Sequence, residues 1–111
     1  MSAPGGTAGG WVRVALERQL SSSLSVDVEG HPVALFRWEG ALYALDDICS
    51  HEYARLSEGE IWDGEVYCPR HGSRFNLSDG AVTGLPATQP VRSYPVRVEQ
   101  GEIFIQWKPK Q

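Results

Sequence analysis

Apolar and polar positions alternate along most of this chain in short runs, each closed by a turn signal. Trp11–Glu17 roughly alternates, and Leu24–Val28 does so cleanly before Glu29-Gly30. Pro32–Trp38 and Ala41–Leu45 flank Glu39-Gly40, as the arms of a tight hairpin do. Glu60–Trp62 and Glu65–Tyr67 flank Asp63-Gly64, and Arg74–Leu77 runs into Asp79-Gly80. Tyr94–Val98 reads as one strand, joined through Gln100-Gly101 to Glu102–Trp107 in a further hairpin. A period of two places alternate side chains on opposite faces of a half-buried strand. No window sustains a helical period, and at most a turn is expected near Ser50–Leu56. Regularly spaced short strands predict an all-β sandwich or barrel.

The tryptophans Trp11, Trp38, Trp62 and Trp107 fall on strand segments and read as core or sheet-surface residues. A length of 111 residues fits one domain with a modest core, which a bound cofactor would help to hold. The first ten residues, rich in Gly with no basic start and no apolar stretch, read as a flexible tail and not as a signal peptide. No run approaches the roughly 20 apolar residues of a membrane span, so a cytoplasmic protein is expected. The net charge of −4 argues against a nucleic-acid binder.

Two cysteines change the picture, because a histidine follows each of them closely. Cys49-Ser-His51 is C-x-H, Cys68-Pro-Arg-His71 is C-x-x-H, and sixteen residues separate the pairs. Each pair follows a strand-like segment, Asp46–Ile48 or Glu65–Tyr67, so two loops can project side by side from a rigid sheet. Thiolate and imidazole bind both zinc and iron. A mononuclear zinc site spaces the two ligands of one loop by two to four residues, which is wider than C-x-H. A two-iron cluster is compatible with the tighter spacing, because ligands from one loop can go to different metals. A zinc-binding interaction module remains the alternative.

The two motifs, with Pro69 after the second Cys and Gly72-Ser73 after the second His, resemble the Rieske iron–sulfur domain. The resemblance runs from about Trp11 to Trp107 and is strongest from Asp46 to Pro95. It implies an antiparallel β sandwich over 11–107 with a cluster-binding subdomain inserted at about 46–90. It also implies one [2Fe–2S] cluster, with Cys49 and Cys68 on one iron and His51 and His71 on the other. Gly84–Pro90, with Pro86, resembles the proline loop that covers the cluster. Ser73 matches a hydroxyl that in high-potential relatives donates to a bridging sulfide. Phe75 stands where those relatives carry a Tyr that donates to a cysteine sulfur. Ala54 and Arg70 occupy the positions of the extra cysteine pair found in membrane-complex members, so that disulfide is excluded.

No second iron motif is present in the sequence. The resemblance is therefore to free-standing Rieske ferredoxins, which pass single electrons from a flavin-containing reductase to a terminal non-haem iron oxygenase and make no substrate bond themselves. It implies a monomer with no membrane or nucleic-acid partner. Thr83–Pro90 is also similar to a ferredoxin subgroup linked to Suf iron–sulfur assembly. A structural or regulatory subunit of the nitrite reductase small-subunit type is a further alternative. Among the remaining polar residues, His31 reads as plain surface or turn structure and Asp46-Asp47 as a solvated strand end. Arg55 and Arg70 lie in the cluster loops and read equally as docking charges or as solvated charges.

Overall fold

The computed structural model describes residues 10–50 and 53–107. It is built from eleven strands: β1 Trp11–Leu16, β2 Ser23–Val28, β3 His31–Trp38, β4 Ala41–Asp46, β5 Ile61–Trp62, β6 Glu65–Tyr67, β7 Arg74–Asn76, β8 Val82–Gly84, β9 Ser93–Tyr94, β10 Val96–Glu99 and β11 Glu102–Gln106. All pairings are antiparallel, in three sheets ordered β1-β11-β10, β2-β3-β4-β9 and β5-β6-β7-β8. Single 3-10 turns lie at Glu17–Gln19 and Leu56–Glu58. No helix among the described residues is long and apolar enough to cross a membrane.

Four two-residue turns set the register. Glu29-Gly30, Glu39-Gly40, Asp63-Gly64 and Gln100-Gly101 all have positive φ at both positions. That is the type I′ geometry, which matches strand twist and for which Gly is favoured at the second place.

The middle sheet is covered on both faces, as the unbroken apolar run Val33–Phe36 in β3 requires. Val33, Leu35 and Ala44 pack with Ile103 and Ile105 against the β1-β11-β10 sheet. Ala34, Phe36 and Leu45 pack on the other side with Val66, Phe75 and Leu77 of the β5–β8 sheet. Cys49 and Cys68 belong to this second core. The architecture is an antiparallel sandwich with a small sheet inserted between β4 and β9.

The segment expected as one strand at Tyr94–Val98 is two. Tyr94 pairs with Ala44 of the middle sheet, and Val96 pairs with Ile105 of the outer one. Pro95 has no N–H to give to a ladder, so the chain changes sheets there. The loop expected from Gly84 begins instead inside β8, where Arg74 pairs with Gly84. Of the expected tail, residues 1–9 lie outside the described residues, and the Gly10 carbonyl accepts the Trp107 amide at 2.7 Å.

Candidate metal centre

Both cysteines sit where strands give way to loops on the insert side of the middle sheet. The first loop leaves β4 after Asp46. Ile48 bridges Arg55, and the Cys49 N–H donates to the Ala54 carbonyl at 2.9 Å, so the loop is pinched at its neck. His51, its second expected ligand, lies outside the described residues. The second loop leaves β6 at Cys68, whose N–H donates to the Ser73 carbonyl at 2.7 Å. Gly72 adopts φ +81, and its N–H closes the turn on the Cys68 carbonyl at 3.1 Å. Gly59 lets the two loops meet. A Cβ there would collide with the Tyr67 carbonyl oxygen, one residue before Cys68.

The two thiols are buried and not joined as a disulfide. They lie within hydrogen-bonding reach of each other, and the backbone N–H groups of Arg70 and His71 point at the Cys68 sulfur. Burial pushes the Cys68 thiol up, the Cys49 neighbour adds to this, and the two amides oppose it. A metal taken up here would displace protons from the sulfurs, and the amides would then stabilise a thiolate. His71 is exposed beside this pair. Among the described residues no three His, Cys, Asp or Glu side chains converge on a single ion position. A buried sulfur pair with the His71 imidazole exposed beside it fits a two-iron cluster, since each iron takes only two protein ligands.

Around the sulfurs, Ser73 and Phe75 are fully buried. The Ser73 Oγ accepts the Ala87 N–H at 3.0 Å, which ties the second loop to the proline loop. No acceptor for its own O–H lies among the described residues. Pro86 follows a cis peptide bond from Leu85. Ser50 Oγ donates to the Gln89 carbonyl, so the first loop is tied to the proline loop as well.

One expectation about polar residues fails. Asp47 is not solvated. It is fully buried and accepts hydrogen bonds from Ser25, Ser57 and Arg55. Burial alone would raise its pKa, but these donors outweigh it and hold the carboxyl below its usual range. Arg55 is the ion-pair partner of Asp47 at 2.9 Å, with its side chain still partly exposed. His31 lies directly after the Glu29-Gly30 turn with its side chain partly exposed, and it has specific partners. Its Nε2 lies 2.8 Å from Asp46 Oδ1, which also accepts the Tyr94 hydroxyl at 2.6 Å. The Trp107 ring centroid is 5.4 Å from that of His31. Asp46 and Asp47 are neighbours, so the pleat sends their side chains to opposite faces. The adjacent acids were the available signal, but their partners come from β2, β3, β9 and the returning limb of the first loop and are invisible to local pattern.

A profile of the Rieske [2Fe–2S] domain matches residues 10–95, most of the chain. The chain belongs to the Rieske [2Fe–2S] domain family. As a Rieske protein it carries one [2Fe–2S] cluster and serves as an electron carrier. It is 39% identical over 97 residues to the ferredoxin component of the naphthalene 1,2-dioxygenase system of Pseudomonas putida, covering 86% of this chain and 93% of that one. It is 46% identical over 74 residues to the anthranilate 1,2-dioxygenase ferredoxin subunit of Burkholderia cepacia, covering 67% and 68%. Among solved structures, the ferredoxin of carbazole 1,9a-dioxygenase from Nocardioides aromaticivorans IC177 superposes with TM-score 0.82 at 38% identity, covering 88% of this chain and 98% of that one. A ferredoxin solved in complex with the oxygenase of a carbazole 1,9a-dioxygenase also superposes with TM-score 0.82. It is 30% identical, and the coverage is 94% and 99%.

Proposed function

We propose that this Rieske protein is the ferredoxin component of a multicomponent oxygenase system. It takes single electrons from a flavin-containing reductase and delivers them to a terminal non-haem iron oxygenase. It works in the cytoplasm as a monomer. The observation that carries this reading is the nearly end-to-end likeness to ferredoxins, one of them solved bound to its oxygenase. The domain is assigned to 11–107 and the cluster-binding unit to about 46–90.

The ligand set is Cys49 and Cys68 on one iron and His51 and His71 on the other. When bound, the cluster supplies one reversible electron. The chain's own groups do the rest. Cys49 and Cys68 hold their sulfurs inside the core, where water does not compete. The Arg70 and His71 amides donate to the Cys68 sulfur and favour added negative charge there. Ser73, its lone pair used by Ala87, keeps a proton to donate toward sulfur. Phe75 fills its place without a donor. Exposed His71 brings the site to the surface, where a partner can approach it.

The test is a rapid-mixing experiment. Protein reduced by a flavin-dependent reductase is mixed with the oxidised oxygenase of an aromatic-ring dioxygenase. One electron per chain should pass to the oxygenase, and Cys49→Ser or Cys68→Ser should abolish both the cluster and the transfer. Transfer to a sirohaem reductase, with none to any oxygenase, would replace this reading.

A further inference from the structure

We infer that the ion pair between Asp47 and Arg55 positions the Cys49 loop and sets the electrostatic balance at its neck, with Asp47 as the positioning residue and Arg55 as its counter-charge. The inference rests on the reading above that Cys49 is a cluster ligand.

The geometry at the neck is closed from three sides. Asp47 Oδ2 accepts Ser25 Oγ at 2.7 Å, Arg55 Nη1 at 2.9 Å and Ser57 Oγ at 3.1 Å. Oδ1 accepts the Ser57 N–H at 2.8 Å. Ser25 belongs to β2 of the middle sheet, whereas Arg55 and Ser57 lie on the returning limb of the loop. Backbone bonds complete the joint. The Asp47 N–H donates to the Pro32 carbonyl at 3.1 Å, and the Leu56 N–H donates to the Asp47 carbonyl at 2.6 Å. One carboxylate therefore joins the base sheet, the outgoing limb and the returning limb, two residues before Cys49. Satisfying a buried polar group does not itself require a charge, because a neutral acceptor could take the same serine bonds. A fully buried carboxylate facing a guanidinium is different. Removing either partner leaves the other charge uncompensated, and that charge acts on an electron arriving nearby with the sign of whichever partner remains.

This gives the two partners opposite signatures. Removing Arg55 leaves the anion, which disfavours an added electron. Removing Asp47 leaves the cation, which favours it. A purely structural joint predicts no such opposition.

The test uses the full chain with its cluster and reads the midpoint potential by redox titration. The EPR signal of the reduced state serves as the check on cluster integrity. Arg55→Gln should lower the reduction equilibrium constant by about threefold, about 28 mV at 59 mV per tenfold for one electron. Arg55→Lys, which keeps the charge, should restore the wild-type midpoint, and Asp47→Asn should raise it. Arg55 is partly exposed, so its variants decide the matter even if Asp47→Asn does not fold. An unchanged midpoint in Arg55→Gln with an intact EPR signal would overturn the inference. So would shifts of Arg55→Gln and Asp47→Asn in the same direction. Failure of the ligand reading would show separately, as a Cys49→Ser protein that retains its cluster.

Discussion

At the scale of single residues, the potential is set by what points at sulfur. The Arg70 and His71 amides point at Cys68, and buried Ser73 has an O–H with no acceptor among the described residues. Phe75 is packed in the same core without a donor. Donors to sulfur favour the reduced state, so a chain with the serine but not the tyrosine should lie in the lower half of the Rieske range of about −150 to +300 mV. Phe75→Tyr should raise the midpoint and Ser73→Ala should lower it, both read by redox titration. Ser73→Ala also strands the buried Ala87 amide, at about 1–3 kcal/mol. A lower melting temperature should therefore accompany the lower potential. A change in melting temperature alone would mean that Ser73 only ties the proline loop.

At the scale of elements, legibility followed sequence distance. The four X-Gly hairpins were readable because a type I′ turn is a local requirement. The two motif loops were legible as candidates because each Cys and the His that follows it lie within four residues. Pro95 misled, since Tyr94–Val98 alternates correctly while its halves pair in different sheets. Asp47 misled because its partners lie 8 to 22 residues away in sequence, at Arg55, Ser57 and Ser25. Gly59 carried no signal at all, since its role is a close approach to Tyr67. Two predictions belong here. Gly59→Ala must displace the returning limb of the first loop from Tyr67, one residue before Cys68, so cluster content per chain, measured as iron and sulfide, should fall sharply. Asp47 has a folded pKa below its unfolded value of about 3.9. Its contribution is present above that unfolded value and is lost as pH falls through the lower folded value. Thermal unfolding by circular dichroism should therefore show a steep loss of stability below about pH 4, and Asp47→Asn should flatten that limb.

At the scale of the whole molecule, the two motif loops and the proline loop converge on one surface. Exposed Pro69, Arg70 and His71 lie there with Leu85, which is 75% exposed. Tyr53, on the first loop, is 77% exposed, and large apolar side chains left this open are candidates for contact with a partner. Arg55 is engaged by Asp47, so the rim prediction is tested at Arg70. Arg70→Glu should change the association rate with the oxygenase and its salt dependence while leaving the absorption spectrum unchanged, as rim charges do. Stopped-flow transfer across a salt series measures this. The central claim is that one Rieske cluster per chain is held by two thiolates and two imidazoles. Its most direct test is EPR of the reduced protein with nitrogen ENDOR. The account predicts one unpaired spin per chain, coupled to two imidazole nitrogens, with one coupling lost in any His71→Ala protein that keeps a cluster. A spin with no nitrogen coupling, or a colourless zinc protein without a spin, would contradict it.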